Sequence, residues 1–217
     1  MITSFLKRHK AIIECVKEFN DEQVLCHSVS PQGVGWNSDH AQITRYEQLL
    51  YAIPQKGWGT CVINDIGCGY GALWSMLQDT QKDVRYRGYD VSDGMLSAAR
   101  QTHGSTVGGQ AEFNHLGKIA IADYSVASGI FGMRFGFGEA DWHEYVLDTL
   151  DLLNFYSRFG FAFNMLTSYS DLDKRKDELF YANPCSYFDI CKRKYSLNVA
   201  LLHDYGLYDF TIVVKKR

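Results

Sequence analysis

Hydrophobic positions along the chain follow two rhythms. In "SFLKRHKAIIECVKEFND", Phe5, Ile12, Ile13, Val16 and Phe19 recur at spacings near three and four with Lys and Glu between them, which predicts one amphipathic helix. "SPQGVGWNSD" breaks that pattern with Pro31, Gly33 and Gly35. Ser38 or Asp39 can then cap a second helix, "HAQITRYEQLLYAI", which Pro54 and Gly57 close. From residue 61 short apolar runs alternate with helical patterns. "CVINDI", "RYRGYDV", "AEFNHL", "YSVASGIF" and "GFAFNML" read as strands; "ALWSMLQDTQ", "DGMLSAARQT" and "ADWHEYVLDTLDLLNFYSR" read as helices. Such alternation predicts an α/β fold, with parallel strands joined by crossover helices. The polar segment "TSYSDLDKRKDELFYANP" interrupts it and reads as an exposed excursion, its charge run a solvated face or a lid loop. The chain ends in two β-rich runs, "NVALLHDYGLYDFTIVVKKR", joined through Gly206. A link that short can only connect antiparallel neighbours.

Composition narrows the class. The 217 residues are 46% hydrophobic and 22% charged, the balance of a compact globular domain. A formal net charge of -3 gives no overall field to attract a phosphate backbone, so no nucleic-acid partner is expected. The six cysteines show no C-x-x-C spacing, which leaves a structural zinc site without support, and no metal is expected. The N-terminus "MITSFLKRHK" lacks the apolar core of a secretory signal, and no apolar run approaches a membrane span. The expectation is a cytoplasmic protein with reduced thiols and no membrane partner.

The stretch "VINDIGCGYGAL" carries the chemistry. A strand, a turn with Gly67, Gly69 and Gly71, and then a helix N-terminus form the geometry that holds a nucleotide against backbone. Gly67, Gly69 and Ala72 also satisfy a dinucleotide fingerprint, so an NAD-linked reading stands beside others. Asp65, two residues before the first glycine, would repel a diphosphate but suits a cation. Asp90 ends the second strand at the distance where an acid bonds ribose hydroxyls. Together the two carboxylates point to an adenosine that bears a positive group.

Here the sequence resembles the class I S-adenosylmethionine-dependent methyltransferases. Asp65, Gly67, Gly69 and Gly71 match their acid-x-Gly-x-Gly-x-Gly loop, and Asp90 in "YDVSDGML" matches the acidic end of their second strand. The resemblance covers roughly residues 58–217 and implies a Rossmann-like seven-stranded sheet whose last strand is antiparallel, with residues 1–57 as an N-terminal helical cap. It implies S-adenosylmethionine as cofactor, with Asp65 near the methionine amino group, Gly67, Cys68 and Gly69 beneath the cofactor, and Asp90 on the ribose. Val91 and Met95 would border the adenine, and Ser128 would follow the fourth strand into the site. Where the family often has an acid facing the adenine amine, "FNHLGK" offers Asn114 and His115 instead. The Asn-Pro-Pro-aromatic motif of amino-methylating DNA enzymes is absent after the fourth strand.

Methyl transfer from a sulfonium is an in-line displacement that depends on orientation in a dry pocket, and a base is needed only when the acceptor must lose a proton. His143 and, after it, His203 are the candidate bases, weighed against an ordinary hydrogen-bonded histidine. In the N-terminal cap Trp36, Gln42, Arg45 and Tyr46 combine an aromatic with a guanidinium able to clamp the methionine carboxylate, weighed against a docked helix face. A small-molecule acceptor methylated on O or N is expected. The alternatives are a protein or peptide methyltransferase and a non-catalytic nucleotide-binding module.

Overall fold

The computed structural model describes residues 1–27, 39–53, 61–79, 84–104 and 110–216. Seven strands form one sheet: β1 (Val62–Ile66), β2 (Arg85–Asp90), β3 (Ala111–His115), β4 (Ala122–Ala127), β5 (Ser157–Leu166), β6 (Asn198–Leu202) and β7 (Asp209–Lys215). Their order is β3-β2-β1-β4-β5-β7-β6. The first five are parallel, while β7 runs antiparallel to both β5 and β6.

Alternation along the strands divides the core in two. Ile63, Tyr86, Ala162 and Val213 face one side, where they meet α3 (Asp39–Leu49), α4 (Ala72–Asp79) and α5 (Asp93–His103) through Leu49, Trp74, Leu77 and Leu96. Ile66, Tyr89, Phe161, Phe163 and Ile212 face the other, against α6 (Glu139–Phe155) and α7 (Pro184–Lys194) through Trp142, Val146, Leu150 and Cys191. With a side-chain period of two, each strand contributes to both layers. Phe5 of α1 (Ile2–Arg8) and Ile12 of α2 (Lys10–His27) belong to this second cluster, so the N-terminal helices share the main core. The boundary expected at residue 57 lies outside the described residues.

Local details differ from the periodic reading. The single N-terminal helix is two helices, because the chain turns at His9, whose ring Nε2 lies 2.8 Å from Asp148 Oδ2. The fourth strand stops at Ala127 rather than continuing through residue 131, as Gly129 turns the chain with a φ of +73°. α7 begins where the polar tract ends, in residues 185–194 to which the periodic reading assigns no element. Its start is nevertheless written locally: the Asn183 side chain accepts from the Cys185 and Ser186 amides, and Pro184 occupies the first turn. The excursion is exposed along most of residues 171–178, yet its backbone is anchored. The Phe180 amide donates to Gly132 O and the Arg134 amide to Glu178 O, which makes it a wall beside the sheet.

Candidate active site

The parallel strands end together at one edge, where β1 passes into the glycine turn. Gly67 and Gly71 have φ of +76° and +86°, a region that L side chains rarely enter. A Cβ on Gly67 would stand 2.2 Å from Ile130 Cγ2, so close approach also demands glycine there. Four amides of the turn are already occupied. Those of Gly67 and Cys68 donate to Tyr89 O, that of Gly71 to Cys68 O, and that of Gly69 to Asp90 Oδ2 at 2.9 Å. A diphosphate needs free amides pointing at it, and these four are spent within the protein. The arrangement speaks against the dinucleotide reading and for a ligand that passes over the turn without being bound as an anion.

Two buried carboxyls flank this turn. Asp90 also accepts from the Ser92 amide at 2.9 Å; burial raises its pKa, and the amides of Ser92, Gly69 and Val91 oppose that rise. Asp65 lies deeper and accepts from the Tyr86 hydroxyl at 2.6 Å. Burial pushes its pKa up to about 7, with the Tyr86 hydrogen bond acting against the rise and the charge of Asp90 adding to it. Burial and the charge of Asp65 likewise hold the Tyr46 hydroxyl well above its ordinary range.

A cavity of about 690 Å³ opens over the turn. Arg45, Tyr46, Gly67, Cys68, Gly69, Asp90, Val91, Met95 and Ser128 line it, as does Leu116 at the end of β3. Asp65 sits beneath, one residue before the lining Ile66. Asn114 and His115 are turned elsewhere. The amide of Asn114 donates to Glu112, and His115 Nδ1 accepts from the Gly117 amide. Trp36 lies outside the described residues. Arg45 does not stand ready for a carboxylate as expected: its Nη2 donates to Asp209 Oδ2 at 2.5 Å and its Nη1 to Ala41 O at 3.0 Å.

Neither candidate base lines the cavity. α6 presents Tyr145 to it, and His143, two residues earlier and therefore about 200° around the helix, shares a 2.8 Å hydrogen bond with the Tyr187 hydroxyl of α7. His203 is exposed beyond edge strand β6, packed against Tyr169 and Phe210. Other lining residues escaped the sequence reading. Asn164 of β5 is fully buried; its Oδ1 accepts from the Gly129 amide and its Nδ2 donates to Ser128 Oγ, which shapes the loop after β4. One polar residue inside the apolar run "GFAFNML" was its signal. Val16, Phe19 and Asn20 of α2 cover the cleft, and Phe19 meets Phe135 edge to face at 5.5 Å. Lys174 and Lys176 of the excursion stand among its lining residues.

The cleft fits a sulfonium nucleoside by three observations of its own. The glycine-turn residues Gly67, Cys68 and Gly69 line the cavity, a carboxylate for ribose hydroxyls ends β2, and the buried Gln42 Nε2 is a donor without a partner among the described residues. No group of three or more His, Cys, Asp or Glu that could hold a metal ion occurs among the described residues.

Comparisons agree with this geometry. No family model matches the chain. It is 52% identical over 155 residues to "Putative methyltransferase Rv1506c" of Mycobacterium tuberculosis (strain ATCC 25618 / H37Rv), spanning 71% of this chain and 92% of that protein. Over 64 residues, 30% of this chain and 21% of the relative, it is 41% identical to trans-aconitate 2-methyltransferase of Streptomyces coelicolor. Among solved structures it resembles magnesium protoporphyrin IX methyltransferase (ChlM) of Synechocystis PCC 6803 with bound SAH, at a TM-score of 0.60 and 12% identity over 82% of this chain and 84% of that one. The pyocyanin biosynthetic protein PhzM matches with a TM-score of 0.57 at 15% identity, over 82% of this chain and 56% of its own. At such identities the two structures speak to the fold alone.

Fold, site and the Mycobacterium relative together define a transferase of Rossmann-like architecture. The chain belongs to the methyltransferase family of that relative, and its fold is the one seen in methyltransferase structures with bound SAH or SAM.

Proposed function

We propose that this methyltransferase acts on an oxygen or nitrogen atom of a small-molecule acceptor. The observation that carries the reading is the shape of the cleft. The part over Gly67, Asp90 and Met95 continues, within the same cavity of about 690 Å³, into a second part lined by Met133, Leu166, Leu179, Tyr181 and Tyr208. That volume is in the range of small-ligand sites. The second part lies between the anchored excursion and the β6–β7 link, a concave setting better suited to a compact molecule than to a polypeptide.

When bound, S-adenosylmethionine supplies a methyl group on a positively charged sulfur. The chain's own residues orient and exclude. Asp90 has lone pairs beyond those taken by the Gly69 and Ser92 amides, and these receive ribose hydroxyls. Val91, Met95 and Leu116 offer apolar surface to the base. Phe19 and Phe135 close the cleft against water, which strengthens every electrostatic contact inside. Met133, Leu166 and Leu179 hold the acceptor in line behind the methyl carbon, and alignment of this kind supplies most of the acceleration. Neither His143 nor His203 takes a step in this scheme.

The test is transfer of tritium from labelled cofactor into cell extract separated by size. Label is expected in the low-molecular-weight fraction. Label confined to protein would replace the small-molecule reading with methylation of a polypeptide.

A further inference from the structure

Among the described residues, the charged side chains lining the cavity are Arg45, Asp90, Lys174, Lys176, Glu178 and Asp209. Arg45 and Asp209 bind each other, and Asp90 binds the amides of Gly69 and Ser92. The other three belong to the excursion. Their contacts put them at the part of the cleft assigned to the acceptor: Lys174 Nζ donates to the Tyr208 hydroxyl at 3.1 Å, the Lys176 amide donates to Tyr181 Oη at 3.1 Å, and Glu178 precedes Leu179, which bridges to Met133.

In the run Lys174–Arg175–Lys176 the middle side chain is taken up by the wall itself. Arg175 donates to the carbonyls of Ser168 and Ser170 and lies over the Tyr181 ring, 5.3 Å from its centroid. Lys176 is rooted by its backbone, because its carbonyl also accepts from the Leu179 amide at 3.1 Å. Its ammonium has no hydrogen bond or ion pair among the described residues. Lys174 is partly offset by Asp171 at 3.3 Å, a carboxylate outside the lining. Glu178, whose carboxylate has no partner among the described residues, opposes the two lysines. This end therefore sets two ammonium groups against one carboxylate, beside the apolar and aromatic surface of Met133, Leu166, Leu179, Tyr181 and Tyr208. A cleft with low-dielectric walls concentrates such a field on whatever binds in it.

We infer that the acceptor carries an anionic group and that Lys176 is the residue that recognises it, with Lys174 adding charge. This rests on the small-molecule reading and goes beyond it to the charge of the acceptor. An ammonium on a flexible stem acts as a point charge, so arginine at this position keeps the attraction and glutamine removes it. Glu178 repels the same group, so the two side chains act on acceptor affinity in opposite directions.

The test passes unlabelled low-molecular-weight extract over an anion exchanger at neutral pH and offers the retained and unretained fractions as acceptors with tritiated S-adenosylmethionine. Label is expected in products of the retained fraction. When that fraction is titrated by dilution, Lys176→Gln should raise the apparent KM and lower kcat/KM about threefold to tenfold with kcat little changed. That is the size of a charged hydrogen bond discounted for solvent screening at an exposed residue. Lys176→Arg should keep most of the wild-type value, and Glu178→Gln should lower KM. Calorimetric titration with S-adenosylhomocysteine should give the wild-type affinity in all three variants, which also reports an intact fold. Label arising only from the unretained fraction overturns the inference and leaves the small-molecule reading standing. So does an unchanged KM in Lys176→Gln, or a raised KM matched by weaker S-adenosylhomocysteine binding. A raised KM in Glu178→Gln overturns it too, since the acceptor is then bound through a positive group. Label confined to protein removes the small-molecule reading along with the inference.

Discussion

A carboxyl sealed beneath the glycine turn responds to pH in the direction opposite to a salt-bridged surface acid. The pKa of Asp65 is raised to about 7, chiefly by burial, so the folded state holds its proton more tightly than the unfolded chain does. The stability this contributes is fully present below pH 3.8 and is lost as pH rises through about 7, up to ~4 kcal/mol by linkage. Asp65→Asn should thus gain on the wild type in thermal denaturation as pH moves from 5 to 8; a constant difference would show that Asp65 does not titrate there. The same variant should lose the rise in cofactor affinity that ionisation of Asp65 gives the wild type across that range. Gly67→Ala forces a Cβ to within 2.2 Å of Ile130 at a φ of +76° and should cost about 1–3 kcal/mol in denaturant melts, with cofactor affinity lost as well. Asp90 and the glycines were legible because their roles are local: a turn and the end of a strand. His143 and Asn114 were misplaced for the complementary reason. Which way a side chain faces depends on the angular position and packing of its element, as the Tyr187 and Glu112 partners show.

At the scale of elements, the cover of the cleft depends on how α2 is fastened. Asp21 Oδ1 accepts from Ser92 Oγ at 2.5 Å and from the Gly94 amide at 3.0 Å, and Lys17 pairs with Asp93 at 2.6 Å, so α2 is pinned to the start of α5. Asp21→Ala removes the acceptor of both bonds. It should cost about 1–3 kcal/mol, speed hydrogen exchange across α2 before the sheet, and weaken cofactor binding through Phe19. Unchanged exchange in α2 would show that apolar packing alone holds the cover. The periodic reading found most strands and helices because each apolar run is short and bounded. It passed over α7, whose surface-facing residues, with Lys192, Arg193 and Lys194 in the last turn, dilute the pattern; the Asn183–Pro184 start was the better signal.

Across the whole molecule, one buried ion pair ties α3 to β7, residues 164 apart in the chain. Burial raises the Asp209 pKa despite the opposing effect of Arg45, so the pair depends on its geometry for stability. Arg45→Ala leaves Asp209 uncompensated and should cost about 3–5 kcal/mol in equilibrium unfolding, whereas Arg45→Met with Asp209→Leu should recover most of that loss. If the double variant is no better than the single one, the two residues stabilise the fold separately. No helix among the described residues is long and apolar enough to cross a membrane. What the sequence determined by itself was everything encoded within about a dozen neighbouring residues: the alternation of strands and helices, the glycine turn between two acids, and the antiparallel ending around Gly206. Tertiary structure alone decided that Arg45 meets Asp209, that Gln42 faces the cleft unpartnered, that His143 turns toward α7, and that a polar excursion becomes a wall. Those outcomes depend on contacts between distant segments, which packing selects and local periodicity does not record.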